Sequence, residues 1–194
     1  MDNDSNAGDE ARLIAEARSD PDAFIWLYRR YYDAIFRYCV HRLFARDSAE
    51  DATAQVFLKV IEVFGRFKGD APQFRYWLYR IAGNVINEHL RKAARRQRLL
   101  KRASRERSIR IVGGNSAVES PNEKLAVLRE AILALRPKYQ TIITLRFFEN
   151  MKLREIGELL ASSPGTVRSQ LARALAKLRK ELATEATKKT ERFD

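Results

Sequence analysis

The sequence predicts an all-α protein made of two small helical domains joined by a flexible linker, with a helix-turn-helix in the C-terminal domain. Apolar residues recur every three or four positions along nearly all of the 194-residue chain, the spacing of one helix face. No segment alternates between apolar and polar residues as a half-buried strand would. Over residues 100–121 the pattern fades into a polar, glycine-containing segment that separates two periodic halves.

In the first half we predict a short helix over residues 10–18 and then three longer ones. The first of these spans residues 24–44. Asp47 and Glu50 form a capping-box pattern that opens the second. The loop FGRFKGDAP precedes the third, which starts near Pro72. The inward-facing residues are predicted to be Phe24, Leu27, Tyr31, Ile35 and Tyr38, then Val56, Val60, Ile61 and Phe64, then Phe74, Trp77, Leu78, Ile81 and Val85.

Four helices are predicted in the second half. Ser120 and Glu123 form another capping box, with Pro121 at the first helical position. Pro137 opens the next helix, and a two-turn helix follows it. After a three-residue break, Ser163 caps the last helix. The inward-facing residues are predicted to be Leu125, Leu128, Ile132 and Leu135, then Ile142, Ile143 and Phe147, then Leu153, Ile156, Leu159 and Leu160, then Val167, Leu171, Leu175 and Leu178.

Positive charge is concentrated in one segment. Residues 91–110 carry +9 of the net charge of +12, so the rest of the chain supplies only +3. This concentration indicates an anionic partner, and nucleic acid is favoured over a membrane surface because no apolar face adjoins the run.

No apolar run approaches the roughly 18 residues of a membrane helix, and residues 1–10 do not read as a signal peptide. We expect no membrane insertion and a cytoplasmic location, with which the single Cys39 agrees.

The end of the chain has the pattern of a DNA-binding helix. Residues 162–180, SSPGTVRSQLARALAKLRK, hold five basic residues and no acidic one. A two-turn helix, a short break and a capped basic helix describe a helix-turn-helix, whose outer face can enter a major groove. The free N–H groups at the helix start favour a phosphate. An ordinary amphipathic helix with a solvated cationic face is the plainer alternative.

Both halves resemble the extracytoplasmic-function sigma factors of bacteria, in the sigma-70 family. Residues 135–182, with GTVRSQLARALAKLR, look like region 4 of that family. Residues 23–92, with DSAEDATAQVFLKVI and FRYWLYRIAGNVINEHLRK, look like region 2. The resemblance implies sigma region 2 over residues 10–98, a basic flexible linker over residues 99–121 and sigma region 4 over residues 122–183. It implies a factor without enzyme activity or cofactor that binds core RNA polymerase and directs promoter-specific transcription initiation.

The resemblance also implies three sets of site residues. The −35 promoter element would be read by Ser163, Thr166, Arg168, Ser169, Gln170 and Arg173. The −10 element would be read and opened by Arg66, Phe67, Lys68, Asp70, Trp77, Arg80, Asn84, Asn87, Glu88 and Arg91. Polymerase would bind Asp47, Glu50, Asp51, Gln55, Phe57, Leu58 and Lys59.

The −10 assignment is consistent with the spacing of the third helix. Arg80, Asn84, Asn87 and Arg91 fall on one face, where amides and guanidiniums can contact base edges and backbone. Aromatic residues beside positive charge suit unstacked bases, although Trp77 has a plain alternative as a core residue. In the family, the loop before this helix accepts a base flipped out of the duplex, and here it maps to residues 64–73.

The implied partners are promoter DNA, the clamp helices of the largest polymerase subunit and the flap of the second-largest, with an anti-sigma factor as a further candidate. The chain departs from the family pattern at Ala54 and Gln55, Glu88, Lys152, Ala161 and Gln170. Lys152 replaces a helix-capping Ser or Thr, and Ala161 replaces the usual turn Gly.

Two other functions remain open at this stage: a free-standing helix-turn-helix regulator, and an RNA-binding or scaffold protein that uses residues 91–110. No catalytic constellation is visible in the sequence. The glycine-containing segment GRFKGD lacks the spacing of a phosphate-binding loop. The spacing of Cys39, His41 and His89 does not suggest a metal site.

Overall fold

The computed structural model describes residues 3–106 and 121–190, with side chains at 8–20, 22–96, 98–100 and 125–184. All regular structure in these ranges is helical, so the all-α prediction is confirmed. The elements are α1 (Asn3–Ser19), a 3-10 turn (Pro21–Ala23), α2 (Phe24–Leu43), α3 (Arg46–Phe64), α4 (Ala71–Glu106), α5 (Pro121–Ala134), α6 (Pro137–Ile143), a π-helical turn (Thr144–Phe148), α7 (Leu153–Leu159) and α8 (Pro164–Thr190).

The first half is a bundle of α2, α3 and α4 against which α1 packs through Ile14 and Ala17. Most of the predicted inward-facing residues are buried in it. Ile61 was predicted wrongly: it is 56% exposed, because it lies one position beyond the buried Val60 and turns toward the outside of α3. The short helix predicted over residues 10–18 is longer at its N-terminal end.

The start of α3 differs from the prediction. The helix begins at Arg46 after Ala45, which has an extended backbone and makes no side-chain cap, so the capping box of Asp47 and Glu50 does not form. The Glu50 carboxylate instead lies 3.1 Å from the Arg46 guanidinium, one helical turn away. Before it, α2 ends at Phe44, whose left-handed backbone (φ 52°) stops the helix.

Helix α4 is longer than predicted at its C-terminal end. It begins after a reciprocal cap, in which Asp70 accepts from the N–H of Gln73 (2.9 Å) and Gln73 accepts from the N–H of Asp70 (3.2 Å). It continues through Glu106, whereas the linker was predicted to start at residue 99. The residues there are mostly Arg, Lys, Leu and Ala, which are strong helix formers. Residues 107–120 lie outside the described residues, and so does the predicted capping residue Ser120.

The second half packs α6 and α8 together, with Leu135, Tyr139, Ile143 and Ala174 in a small core. Two inward-facing predictions are wrong here, since Leu125 is 62% and Phe147 is 53% exposed. A π-helical turn follows α6 and rotates Phe147 out of the register expected for a regular helix.

The two halves are in contact. Ile142, Leu145, Met151, Ile156 and Leu159 of the second half belong to the same core cluster as the first-half bundle. The π-helical turn lies against α2, and α7 lies against α4. In the described part of the chain, no helix is both long enough and apolar enough to cross a membrane.

Candidate nucleic-acid interface

The start of α8 is built as a capped and exposed helix end. Ser163 Oγ accepts a hydrogen bond from the Thr166 N–H at 3.1 Å, and the two hydroxyls are 2.9 Å apart. Pro164 then occupies the first helical position, where no N–H is needed. Val167 is fully buried and anchors the inner side of the helix. The outer side exposes the predicted DNA-reading residues Ser163, Thr166, Arg168, Ser169 and Arg173, and Gln170 is half-buried.

The turn between α7 and α8 depends on a close backbone approach at Gly157. A Cβ atom there would lie 2.6 Å from the Ser162 carbonyl oxygen, a distance that side chains do not tolerate. The Ser162 N–H in turn donates to the Gly157 carbonyl at 2.8 Å. Ala161 takes the left-handed backbone conformation (φ 49°) that the turn requires, at some cost for a residue with a Cβ. This turn fixes the angle at which α8 leaves α7.

Helix α7 begins without the side-chain cap that Ser or Thr would give. Glu155 supplies half of a capping box instead, because its carboxylate accepts from the Lys152 N–H at 2.6 Å. The same carboxylate lies 3.8 Å from Arg75 of α4. The departure at Lys152 therefore leaves α7 capped from within, by Glu155.

The four residues predicted to share a face of α4 do so, but their surroundings differ. Arg80 donates to the carbonyl of Leu159 in α7 at 3.2 Å. Asn87 accepts from Arg42 at 3.0 Å. Arg91 folds back to the Asn87 carbonyl at 3.1 Å, and Asn84 is exposed. Half of this face is thus occupied by protein contacts.

Glu88 lies beside that face and points toward lysines. Its carboxylate is 2.8 Å from Lys92 and 3.3 Å from Lys59. Hydrogen bonds from these two ammonium groups lower the pKa of Glu88 to about 2, and the bond from Lys92 has the larger effect. The Glu88 side chain therefore joins α3 to α4 as a carboxylate.

The loop before α4 has an aromatic floor and a cationic rim. Phe67 is 8% exposed, and its ring centroid lies 5.1 Å from that of the half-buried Trp77. Phe67 was predicted as a DNA-reading residue, and the structure places it beneath the loop. Arg66 and Lys68 are exposed at the rim, and Asp70 is occupied in capping α4.

Arg18 was missed by the sequence analysis. It donates to the carbonyl of Gly69 at 3.1 Å, and its guanidinium carbon lies 5.8 Å from the Phe67 ring centroid. It thereby ties α1 to the loop. Its position near the end of a surface helix carries no sequence signal for this contact.

The outer face of α3 presents a mixed polar and apolar surface. Phe57 is the exception among the predicted polymerase-binding residues: it is 4% exposed and packs against Tyr28, with ring centroids 4.8 Å apart. Leu58 and Ile61 are both exposed, one helical turn apart. Ile61, which was predicted to face inward, therefore adds a second large apolar side chain to this outer face. The predicted residues that lie on this exposed face are Asp47, Glu50, Asp51, Gln55, Leu58 and Lys59.

Buried polar groups lie where the two halves meet. Arg42 is 1% exposed and donates to Gln140 of the second half and to Asn87. The Tyr79 hydroxyl donates to Glu149 at 2.9 Å, and Arg37 and His41 lie 3.9 Å from the same carboxylate. Burial raises the pKa of Tyr79, as does the Glu149 charge. Burial lowers the pKa of His41 against the opposing effect of Glu149.

The described side chains offer no metal centre. No group of three His, Cys, Asp or Glu residues within the described ranges is placed to hold a metal ion. Cys39 is fully buried, and burial raises the pKa of its thiol to about 11, which keeps it protonated and unreactive.

Family models match both halves in the predicted order. The model described as Sigma-70 region 2 matches residues 27–96, and the model described as Sigma-70, region 4 matches residues 125–178.

Two relatives are similar over most of their length. The ECF RNA polymerase sigma factor SigW of Bacillus subtilis is 30% identical over 178 residues, which cover 88% of this chain and 95% of that protein. The ECF RNA polymerase sigma factor BldN of Streptomyces coelicolor is 27% identical over 190 residues, which cover 94% of this chain and 69% of that protein.

Two solved structures share the fold. CnrH, in complex with the cytosolic domain of CnrY, gives a TM-score of 0.64 at 23% identity and covers 90% of this chain and 97% of its own. The sigma factor RpoE of Bartonella quintana, in complex with the anti-sigma factor NepR, gives a TM-score of 0.57 at 20% identity. The match covers 82% of this chain and 96% of the RpoE chain.

Proposed function

The chain belongs to the extracytoplasmic-function sigma factors of the sigma-70 family, and from that premise we propose that its two halves read two separate promoter elements for core RNA polymerase. As a sigma factor it directs transcription initiation. We propose residues 10–98 as the polymerase-binding and promoter-opening part, and residues 122–183 as the part that binds the upstream element. The proposed boundary at residue 98 lies within α4, which continues through Glu106.

The exposed N-terminal face of α8 carries the proposal for the upstream element. Arg168 and Arg173 share this face with three hydroxyl side chains, and Val167 on the opposite side fixes the helix in its core. Guanidiniums suit the major-groove edge of guanine, and the free N–H groups at the helix start suit a phosphate. Gln170 is half-buried beside this face, and we assign its amide to the DNA backbone.

The loop before α4 and the exposed part of α4 support the proposal for the downstream element. Arg66 and Lys68 offer positive charge to the DNA backbone, and Asn84 and Arg91 continue the exposed surface along the helix. Half-buried Trp77, in ring contact with Phe67, is the aromatic residue that we assign to a base. Flipping a base out of the duplex costs a few kcal/mol, which these contacts would offset.

The outer face of α3 is the surface we propose for the clamp helices of the polymerase. Its exposed Leu58 and Ile61 share the outer face of α3 with the exposed charged residues Asp51 and Lys59, as in an apolar centre with a polar rim. The flap of the second-largest subunit would bind the second half. Two such contacts on one chain reinforce each other through effective concentration.

The remaining assignments follow from this role. We propose that the catalysis belongs to the polymerase and that this chain supplies none, and that it acts in the cytoplasm, where bacterial RNA polymerase works. Anti-sigma factors are a further class of proposed partner, since the RpoE structure that shares this fold contains one.

A free-standing helix-turn-helix regulator is not favoured, because the first half matches region 2 and the sigma factor SigW is matched over 95% of its length. The experiment that separates the two combines the purified chain with core RNA polymerase. Genomic fragments retained by this holoenzyme are sequenced and used as templates for run-off transcription. We expect discrete start sites that core polymerase alone does not give. Retention of fragments by the chain alone, with no gain on adding core polymerase, would favour the regulator.

A further inference from the structure

We propose that a cavity beside α1, α2 and α4 binds a small sugar phosphate, with guanidiniums for the phosphate group and carboxylates for the sugar hydroxyls. The cavity has a volume of about 440 Å³. The charged and polar side chains that line it are Glu10, Arg30, Arg37, Arg75, Tyr79 and Glu149. We assign none of these residues to promoter DNA or to the polymerase, so this site is additional to the proposed function.

Three arginines bring positive charge to one small space. Arg30 and Arg37 lie two turns apart on α2, and Arg75 lies near the start of α4. Their side chains are 30%, 55% and 40% exposed, so each guanidinium has lost part of its hydration. Two carboxylates line the same cavity, which leaves positive charge in excess. Because like charges repel at this range, an anionic group between the arginines would stabilise the arrangement.

The ion pairs of these arginines are loose. The closest nitrogen–oxygen distances of the pairs are 3.5 Å for Arg30–Glu10, 3.9 Å for Arg37–Glu149 and 3.8 Å for Arg75–Glu155. A strong charge-assisted hydrogen bond is shorter, at about 2.7–2.9 Å. A guanidinium also carries five N–H donors in a planar fork that matches the oxygens of a phosphate. A phosphate group can therefore bind here without breaking a strong ion pair.

The two carboxylates indicate that the ligand also donates hydrogen bonds. The Glu10 side chain is 16% exposed, and burial raises its pKa against the opposing charge of Arg30. Glu149 is 2% exposed, and its Oε1 has no hydrogen-bond partner among the described residues. Buried carboxylate oxygens are costly when they lack donors. Hydroxyl groups of a sugar would donate to such oxygens, which a phosphate group alone does little to satisfy.

The size of the cavity limits the ligand. Small-molecule sites in proteins have volumes of about 300–1,000 Å³, so this cavity is at the lower end of that range. Tyr31 and Ala34 add an apolar wall beside the charged groups. A cavity of this volume is too small for a DNA duplex and suits a phosphorylated sugar, which is either free or part of a nucleotide.

Isothermal titration calorimetry of the full-length chain tests the chemistry of the ligand. The probes are ribose 5-phosphate, inorganic phosphate and ribose. We expect saturable binding of ribose 5-phosphate at one site, about tenfold tighter than binding of inorganic phosphate, and no binding of ribose. A titration with AMP distinguishes the two sources of the sugar phosphate. Tighter binding of AMP than of ribose 5-phosphate would identify a nucleotide, and weaker binding would identify a free sugar phosphate.

Substitutions test the residues. Arg30→Gln and Arg75→Gln each remove one guanidinium and should weaken binding of ribose 5-phosphate by about tenfold or more. Arg29→Gln is the matched control, because Arg29 is the exposed neighbour of Arg30 and does not line the cavity. Glu10→Gln keeps the size of the side chain and removes its charge. This variant should weaken binding of ribose 5-phosphate several-fold and leave binding of inorganic phosphate unchanged or tighter.

Three results would overturn the inference. The first is the absence of saturable binding of ribose 5-phosphate to the wild type. The second is an equal loss in Arg29→Gln, which would indicate non-specific attraction to a basic surface. The third is a loss of single-stranded DNA binding in Arg30→Gln while ribose 5-phosphate does not compete with that DNA, which would assign the arginine to the DNA backbone. All of these titrations use the free chain, so their failure leaves the transcription test of the proposed function unaffected.

Discussion

Arg18, in the first helix, donates a hydrogen bond to the carbonyl of Gly69, 51 positions along the chain, at a distance of 3.1 Å. The same guanidinium lies over the ring of Phe67, the aromatic floor of the loop that we assign to the downstream promoter element. One side chain of α1 therefore restrains that loop through both its backbone and its aromatic floor.

Replacing Arg18 with Gln should loosen the loop. We expect a loss of about 0.5–1 kcal/mol in the free energy of unfolding, because an exposed hydrogen bond and a cation–π contact disappear. We also expect weaker discrimination between base substitutions in the downstream element. Denaturant unfolding and competition binding by holoenzyme measure the two effects. Arg12→Gln is the control, since the ion pair that Arg12 makes among the described residues lies within α1, with Glu16. If the two variants discriminate equally between base substitutions in the downstream element, Arg18 does not position the loop.

Ala161→Gly should stabilise the protein. Ala161 has φ 49°, a left-handed conformation that is strained for any residue with a Cβ and free of strain for glycine. We expect a gain of about 1 kcal/mol, measured by denaturant unfolding. Ala176→Gly, at an exposed position within α8, should instead lose about 1 kcal/mol. Destabilisation of both variants by the same amount would mean that the turn does not hold Ala161 in this conformation.

Arg168→Ala should weaken binding of the upstream element by about 1–3 kcal/mol if the guanidinium contacts a base. The side chain is exposed on the first turns of α8. Arg179→Ala removes the same charge about 16 Å further along the helix and should have a much smaller effect. Filter binding measures the affinity for promoter fragments. Repeating it with fragments that carry single base substitutions separates a loss of sequence-specific affinity from a loss of non-specific affinity. Identical affinities for wild type and Arg168→Ala would exclude a base contact.

Leu58→Ala and Ile61→Ala should each weaken the complex with core polymerase, by more than about 1 kcal/mol if these exposed side chains lie at the centre of the interface. Leu99→Ala, an equally exposed leucine on α4, is the control. Affinity for core polymerase can be measured by fluorescence anisotropy of the labelled chain. Loss in the control alone would move the docking surface from α3 to the end of α4.

His41 should make stability depend on pH. Burial lowers its pKa, and so does the nearby Arg37, against the opposing charge of Glu149. Below the ordinary value of about 6.5 the unfolded chain then binds more protons than the folded one, so stability falls as the pH drops through this region. We expect the wild type to lose more unfolding free energy than His41→Gln between pH 7.5 and pH 5.5, values chosen to bracket that of an ordinary His by about one unit on each side. Parallel losses in the two proteins would assign the pH dependence to other groups.

The sequence could predict what is local in this fold. The stripe of Leu27, Tyr31 and Ile35 and the cap of α8 at Ser163 both lie within a few residues, so periodicity and capping chemistry reveal them. Ile61 and Leu125 were placed inside wrongly, because an apolar residue that faces a partner or solvent fits a helical stripe as well as a core residue does. Phe147 was misplaced by a π-helical turn, which the sequence pattern did not indicate.

The contacts between the halves lay beyond prediction for a different reason. Arg42 and Gln140 are 98 positions apart, and nothing near either residue specifies the other. The same holds for Tyr79 and Glu149, 70 positions apart. Their effect on the site is direct, because they determine which of the predicted DNA-reading residues are free.

Permanganate footprinting of a promoter selected by the holoenzyme tests the division of labour between the halves most directly. Thymines near the start site should react with wild-type holoenzyme and not with core polymerase alone. With Asn84→Ala, which removes an exposed amide from α4, thymine reactivity should fall several-fold while filter binding of the duplex promoter stays near the wild-type level. Thymines that remain unreactive with wild-type holoenzyme, or an equal loss of reactivity and duplex binding in the variant, would contradict the account.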